Sequence, residues 1–129
     1  MRTQGVLIVE DDESTRAVLA DLLQEEGYMV FTAPDGQPAL ERLRTHPAGL
    51  VVLCDLWMPG MDGYALLQAI AAEAPLTAQH AYILMTATAK TLPLKVVDLL
   101  KHLNVTTIPK PFDIDDVLAE VKRAASRLV

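Results

Sequence analysis

Carboxylates stand at the end of two short apolar runs. Residues 6–9 lead directly into Glu10-Asp11-Asp12, and residues 50–54 lead into Asp55, which a turn containing proline and glycine follows. A short β-branched run of this kind is typical of a buried strand. In an open α/β sheet, sites form outside the carboxyl ends of the strands. The acids are therefore predicted to cluster at one edge of a sheet.

Such a cluster indicates a bound cation. Neighbouring carboxylates repel one another and stay ionised only if a cation holds them or their pKa values rise. Mg²⁺ prefers hard oxygen ligands, keeps several waters and binds through one or two carboxylates together with phosphate. Carboxylates at strand ends are also common as helix caps or as solvated groups, so the prediction of a cation site needs further evidence.

Thr86 and Lys110 supply that evidence. Thr86 follows the apolar run at residues 81–85, and Lys110 stands just after the strand predicted at residues 105–108, so a hydroxyl and an amine are predicted at the same edge of the sheet. Carboxylates, a hydroxyl and an ammonium group are the equipment of phosphoryl transfer: a metal and the lysine neutralise phosphoryl oxygens, the hydroxyl donates a hydrogen bond, and a carboxylate attacks. The combination, rather than any one residue, predicts this chemistry.

Apolar runs alternate with helical patterns along the whole chain. Strands are predicted near residues 6–9, 28–32, 50–54, 81–85 and 105–108, and helices near residues 14–26, 36–45, 62–74, 92–103 and 113–128. The inner stripe of the first helix is assigned to Ala17, Val18, Leu19, Leu22 and Leu23. Five strands alternating with five helices predict an α/β, flavodoxin-like, three-layer fold with a parallel five-stranded sheet in the order 2-1-3-4-5. That order would place Asp11 and Asp55 across one crevice.

The composition suits one soluble domain over residues 1–129. The chain is 51% hydrophobic and 22% charged, and its net charge of -6 argues against direct nucleic-acid binding, which normally needs a basic face. The single cysteine, Cys54, permits no internal disulfide and is expected in the core. We see no signal peptide and no apolar stretch long enough to span a bilayer, so a cytoplasmic protein without membrane contact is expected. The histidines (His46, His80 and His102) lack metal-ligand spacing and are assigned to the surface or to helix ends.

The motifs together resemble the receiver domain of two-component response regulators, in its single-domain, chemotaxis-regulator-like form. They are residues 6–12, Asp55 with residues 58–63, Met85-Thr86-Ala87 and Lys110-Pro111-Phe112. The resemblance covers essentially the whole chain. Whether the chain is free-standing or part of a longer protein stays open.

The resemblance implies a role for each site residue. Asp55 would accept a phosphoryl group from a phosphohistidine. Mg²⁺ would be held by Asp11, Asp55 and the Trp57 carbonyl, and by Glu10 mostly through water. Thr86 and Lys110 would each contact a phosphoryl oxygen, with Lys110 aimed by a cis bond to Pro111.

The resemblance also implies a switch that acts through protein partners. The donor would be a sensor histidine kinase or a phosphotransfer protein, and the output an unknown protein or a homodimer through the fourth helix, fifth strand and last helix. Thr107 stands where the family usually has an aromatic side chain, so the aromatic part of the switch is in question. Leu92 and Leu94 fit a core or a partner surface equally. Trp57 and Thr88 resemble positions that tune the lifetime of the phosphorylated form, and Trp57 is a candidate lid.

Three other functions remain as alternatives. A small phosphatase or phosphotransferase with an aspartyl-phosphate intermediate would turn over small phosphoesters, although dehalogenase-type phosphatases carry an aspartate where this chain has Trp57. A flavin- or nucleotide-binding domain would need a phosphate loop where residues 10–13 are all acidic. A pseudo-receiver would keep the fold without phosphorylation. On the leading reading the chain is not an enzyme beyond catalysing its own phosphorylation and dephosphorylation.

Overall fold

Five parallel strands form the central sheet of the computed structural model, which describes residues 3–58, 60–87 and 91–128. The strands are β1 (Gly5–Val9), β2 (Met29–Ala33), β3 (Leu50–Asp55), β4 (Ala81–Thr86) and β5 (Thr106–Pro109). The helices are α1 (Glu13–Glu25), α2 (Gly36–Thr45), α3 (Gly63–Ala71), α4 (Ala74–Gln79), α5 (Leu94–His102) and α6 (Ile114–Ser126). The strand order is β2-β1-β3-β4-β5, which confirms the predicted topology.

Both faces of the sheet are covered, which explains why the central strands are apolar along their whole length. Alternate residues point to opposite faces of a strand. Leu7 and Val52 pack on the face covered by α2, α3, α4 and α5, and Ile8 and Leu53 pack on the face covered by α1 and α6. The result is the predicted three-layer arrangement, with a core on each side of the sheet.

Aspartates begin four of the helices. The side chains of Asp12, Asp35, Asp62 and Asp113 each accept a hydrogen bond from a backbone N–H in the first turn of the helix that follows. Such caps satisfy N–H groups that have no partner within the helix.

Residues in the left-handed region of φ end two helices. Gly27 has φ 94° after α1, and Asn104 has φ 55° after α5. Glycine and asparagine tolerate this region best, which is why they mark helix ends. Among the described residues, no helix is both long and apolar enough to cross a membrane.

Two predictions about helices are wrong. The third helix, predicted near residues 62–74, ends at Ala71. Residues 74–79 form the separate short helix α4, with Pro75 in its first turn, where a proline is tolerated. In α1 the inner stripe is narrower than predicted: Leu19 and Leu23, one turn apart, are fully buried, whereas Ala17 is exposed and Val18 is 54% exposed.

His80 lies at a helix end, after α4, which is one of the two positions predicted for the histidines, and its side chain is buried. Its Nδ1 accepts a hydrogen bond from the Leu50 N–H at 2.9 Å, and its Nε2 lies 3.1 Å from the Leu43 carbonyl oxygen. The ring therefore ties α2 to the start of β3.

Candidate functional site

Neighbouring strands bring the predicted acids together at the carboxyl edge of the sheet. Val9 pairs with Cys54 in the β1–β3 register, so Glu10 and Asp55 follow side by side. Carboxylate oxygens of Glu10, Asp11 and Asp55 all lie within 4.8 Å of one another. Glu10 and Asp55 are buried, whereas Asp11 is exposed. The acidic cluster predicted from the strand ends therefore exists, with two buried members and one facing solvent.

Lys110 joins the cluster from β5, two strands away from β3. Its Nζ donates to Glu10 Oε2 at 3.0 Å and to Asp55 Oδ2 at 3.1 Å. The backbone holds this position, because the Lys110 N–H donates to the Thr86 carbonyl at 3.0 Å. The bond between Lys110 and Pro111 is cis, as expected from the resemblance.

Burial and charge act in opposite directions on this ion pair. For Lys110, burial lowers the pKa, but the hydrogen bonds to Glu10 and Asp55 outweigh it and raise the pKa of the ammonium overall. For Glu10, burial raises the pKa, the hydrogen bond from Lys110 opposes it, and the charge of Asp55 adds to the increase. Lys110 thus stays protonated beside carboxylates that it only partly neutralises.

Thr86 lies at the same edge. It ends β4, where it pairs with Pro109 of β5, and its side chain is buried. Asp55 pairs with Met85, the residue before Thr86. The hydroxyl-bearing residue therefore follows the strand position opposite Asp55, as the sequence predicts.

A tight turn after Asp55 depends on Gly63. No separate role was predicted for this glycine from the sequence. The Gly63 N–H donates to the Leu56 carbonyl at 2.9 Å, and a Cβ on Gly63 would lie 2.2 Å from the Asp55 carbonyl oxygen. Only glycine allows this approach. The signal available in the sequence was a glycine directly after the helix cap Asp62.

Two further residues support the site and were also missed. Arg16 donates from a guanidinium nitrogen to the Glu10 carbonyl at 2.9 Å. Asp12 donates from its backbone N–H to Glu10 Oε1 at 3.2 Å, and its side chain accepts from Thr15. The Asp12 carboxylate is therefore occupied as the cap of α1.

The remaining predictions around the site have mixed outcomes. The Trp57 side chain, two residues after Asp55, is 51% exposed, and the Trp57 backbone carbonyl stays a predicted metal ligand. Leu92 packs against the core while Leu94 is 74% exposed, so the two leucines divide between the two readings. Thr107 is exposed on β5. Thr88 lies outside the described residues.

The donor set fits a hard divalent cation. In the part of the chain that the structure describes, one ammonium group, that of Lys110, pairs with this cluster of three carboxylates, which leaves an excess of negative charge on oxygen atoms close enough to share an ion. Oxygen ligands with an open, solvent-facing side suit a cation that keeps some of its waters. The residues present can therefore hold such a cation.

Comparisons with known proteins point to one family. A family model described as the response regulator receiver domain matches residues 6–122. Sporulation initiation phosphotransferase F of Bacillus subtilis (strain 168) is 33% identical over 95% of this chain and 94% of its own length. The DNA-binding transcriptional regulator NtrC of Escherichia coli (strain K12) is 38% identical over 94% of this chain, which spans only 24% of that protein.

Solved structures agree. The chemotaxis protein CheY4 of Vibrio cholerae superposes with a TM-score of 0.79 at 28% identity, covering 95% of this chain and 99% of that chain. The receiver domain of a Francisella response regulator gives a TM-score of 0.82 at 26% identity, covering 97% and 98%. The sheet order, the acidic cluster and the matched residues all agree, and the chain belongs to the receiver domain family of two-component response regulators.

Proposed function

We propose that Asp55 accepts a phosphoryl group from a phosphohistidine on a sensor histidine kinase or a phosphotransfer protein. The observation that carries this proposal is the position of the Asp55 carboxylate. One of its oxygens accepts from the Lys110 ammonium at 3.1 Å, and the same carboxylate lies within ligand-sharing distance of Glu10 and Asp11. Its relatives include a protein named as a phosphotransferase, which supports transfer between proteins.

The transfer makes one bond and breaks one. An Asp55 carboxylate oxygen attacks phosphorus, the bond from phosphorus to the donor imidazole nitrogen breaks, and that nitrogen keeps the electron pair. Asp55 becomes an acyl phosphate. Attack of water on the phosphorus then regenerates the carboxylate and releases inorganic phosphate, which resets the switch.

Mg²⁺ is the cation we propose for the acidic cluster. Asp11, Asp55 and the Trp57 carbonyl would hold it, with Glu10 acting mostly through water. When bound, it neutralises charge on the phosphoryl oxygens and the carboxylates. Net negative charge at the site would otherwise repel an incoming phosphoryl group.

Two other residues prepare the site for the extra charge. Lys110, already placed by its two ion pairs, exchanges a carboxylate contact for a phosphoryl oxygen as charge arrives. Thr86 donates its hydroxyl hydrogen to another phosphoryl oxygen. The Lys110 N–H donates to the Thr86 carbonyl at 3.0 Å, so a movement of Thr86 would also displace the end of β5.

The output surface of the switch is proposed to be the face formed by α5, β5 and α6. Leu94 on α5 is 74% exposed and Ile114 at the start of α6 is 48% exposed, so apolar groups are available to a protein partner or a second copy. With Thr107 at the usual aromatic position, the proposed signal runs through Thr86, β5 and α5 instead. Sedimentation of the phosphorylated chain would separate a homodimer from a heterologous partner.

The chain is proposed to act as a binding switch that catalyses only its own phosphorylation and dephosphorylation. Trp57 stands where a dehalogenase-type phosphatase carries its second aspartate, which weakens the enzyme alternative. Incubation with para-nitrophenyl phosphate and Mg²⁺ tests it. Sustained release of nitrophenol by the parent chain, absent in Asp55→Asn, would establish the phosphatase instead.

The decisive experiment is incubation with acetyl phosphate and Mg²⁺ followed by intact mass spectrometry. One added phosphoryl group is expected in the parent chain and none in Asp55→Asn or after chelation of the metal. Asp21→Asn, which removes an exposed acid on α1, is the matched control and should be modified like the parent. Modification that persists in Asp55→Asn would refute the assignment.

A further inference from the structure

A cavity of about 450 Å³ lies at the opposite, amino edge of the sheet. It is bounded by the first residues of β1 and β2, the loop between α2 and β3, and the last turns of α6. Cavities of this size are in the range that holds small organic molecules. It shares no residue with the acidic cluster, so the phosphorylation site leaves it unexplained. We call it the amino-edge cavity.

The walls of the amino-edge cavity are held in place by hydrogen bonds. The Gln4 side chain donates to the carbonyls of Gly5 and Gly49 at 2.9 and 2.8 Å. The Gln79 side chain donates to the carbonyls of His46 and Ala48 at 2.9 and 3.2 Å. Because both amides are already bonded, the loop that carries His46 is fixed without a ligand.

The lining combines apolar surface with two nitrogen-bearing side chains, Lys122 and His46. Met29, Ala125 and Leu128 provide the apolar part, and Met29 is 51% exposed. Within residues 3–58, 60–87 and 91–128, the Lys122 ammonium forms no ion pair and the His46 ring forms no hydrogen bond.

The orientation of His46 adds to this picture. Its Nε2 faces Gly5, another lining residue, since a Cβ there would lie 3.9 Å away, and its ring packs edge-on against Phe31. Burial, and then the charge of Arg42, lowers the pKa of His46, so at neutral pH the ring offers one N–H donor and one acceptor. Among the described residues that line the cavity, Lys122 therefore carries the positive charge.

We propose that the amino-edge cavity binds a small organic carboxylate, with its apolar body against Met29, Ala125 and Leu128 and its anionic group at Lys122. A chain with net charge -6 has no general attraction for anions, so binding there would depend on this local arrangement. A purely apolar ligand would leave the ammonium and imidazole at the rim unused. The site is independent of phosphorylation and should persist in Asp55→Asn.

The test is a titration of the amide-labelled full chain with naphthoate, followed by NMR. Saturable shifts are expected at cavity residues such as Gln4, Gly49 and Ser126, and not at Asp55 or Thr86. Neutral naphthamide, which has the same rings, should bind about threefold more weakly, the factor expected when one exposed charge pair is lost. Lys122→Met keeps the apolar stem and should remove the difference between the two probes.

Lys101→Met is the matched control, because Lys101 is an exposed lysine on α5, outside the cavity, and its loss changes net charge equally. It should bind both probes like the parent. Ser126→Leu should weaken both probes by filling the rim. Shifts that never saturate, shifts centred elsewhere, or equal weakening by Lys101→Met and Lys122→Met would each overturn the proposal.

Discussion

The polar side chains at the two edges of the sheet differ in their charge and in their hydrogen bonding. At the carboxyl edge, the carboxylates of Glu10, Asp11 and Asp55 cluster, and among the described residues the ammonium that pairs with them is that of Lys110, so negative charge is left over. At the amino edge, the His80 ring and the Gln4 and Gln79 amides are neutral groups bonded to backbone carbonyls or N–H groups.

This difference separates chemistry from architecture. Charged groups held close together with an incomplete balance are costly for folding and useful for binding a cation and a phosphoryl group. Neutral groups that are hydrogen-bonded to the backbone secure loops at little cost. We therefore expect changes at the carboxyl edge to act mainly on phosphorylation, and changes at the hydrogen-bonded groups of the amino edge to act mainly on stability.

Lys110→Ala should give the largest functional effect. Removing the ammonium takes away a fixed positive charge where negative charge develops, so the rate of phosphorylation by acetyl phosphate should fall about 100-fold. Mass spectrometry over time measures the rate. Mg²⁺ binding, followed by fluorescence of the single tryptophan near the site, should be retained because lysine is not a metal ligand.

Lys101→Ala is the control for Lys110→Ala and should leave the rate unchanged. If Lys110→Ala abolished Mg²⁺ binding as well, the division of roles at the carboxyl edge would be wrong. If it changed neither property, the charge argument for this edge would fail.

Gly63→Ala should break the expectation that the carboxyl edge matters little for folding. A Cβ there would lie 2.2 Å from the Asp55 carbonyl oxygen and 2.8 Å from the Leu56 Cα, which are backbone atoms that cannot move aside cheaply. The free energy of unfolding should fall by about 3 kcal/mol, measured by urea denaturation.

Gly27→Ala provides a matched comparison for Gly63→Ala. It has a positive φ of 94° but open space around its Cβ position, so a loss of only about 1 kcal/mol is expected. Equal losses in the two variants would show that the close approach at Gly63 is relieved by movement of the turn.

His80→Gln should sharpen the amino edge of the comparison. Leu50 N–H is a donor, so His80 Nδ1 must accept and its proton must lie on Nε2, toward the Leu43 carbonyl. Losing this pair of buried hydrogen bonds should cost about 2 kcal/mol in unfolding free energy. Phosphorylation by acetyl phosphate should be unaffected, in contrast to Lys110→Ala.

The same ring predicts a pH dependence. Burial lowers the pKa of His80 below its ordinary 6.5, the bond to the Leu43 carbonyl opposes this, and the charge of His46 lowers it further. As the pH falls, the unfolded chain therefore binds a proton on His80 at a higher pH than the folded chain does. The contribution of neutral His80 to the free energy of unfolding is complete above about pH 6.5 and is lost as the pH falls below it. Urea denaturation between about pH 7.5 and pH 5.5 should show a steeper loss for the parent than for His80→Gln. His102→Gln, at the exposed end of α5, should retain the parent's slope.

Trp57→Ala should give the smallest effect. The Trp57 indole, two residues after Asp55, is 51% exposed. As a partial lid it would therefore only modestly slow the attack of water on the phosphorylated Asp55. Loss of the phosphoryl group should speed up about threefold, less than one tenfold step in rate. This rate is measured by mass spectrometry, as the decrease of the phosphorylated species after acetyl phosphate is removed. The rate for Trp57→Phe should lie between the rates for the parent and for Trp57→Ala. A decay no faster than the parent's would remove the lid.

Much of this molecule follows from local patterns in the chain. Apolar runs that end in Glu10, Asp55 and Thr86 identify buried strands and the edge at which they end, because a strand covered on both faces has no polar position except at its ends. The alternation of strands and helices then restricts the sheet order. The caps at Asp35, Asp62 and Asp113 are equally local, since a capping side chain bonds to the turn that follows it.

Other features depend on contacts between segments far apart in the chain. The close approach of Gly63 to Asp55, the burial of His80 against α2 and β3, and the exposure of Val18 are set by what packs on each residue, which a helical or strand pattern does not contain. The amino-edge cavity is of the same kind, because it lies between α6 and strand ends more than ninety residues earlier in some cases. Residue types and spacing alone determined which groups meet at the carboxyl edge. Only the tertiary structure decided how closely they approach, which of them lose water and which acquire partners, because those properties arise from packing across the whole fold.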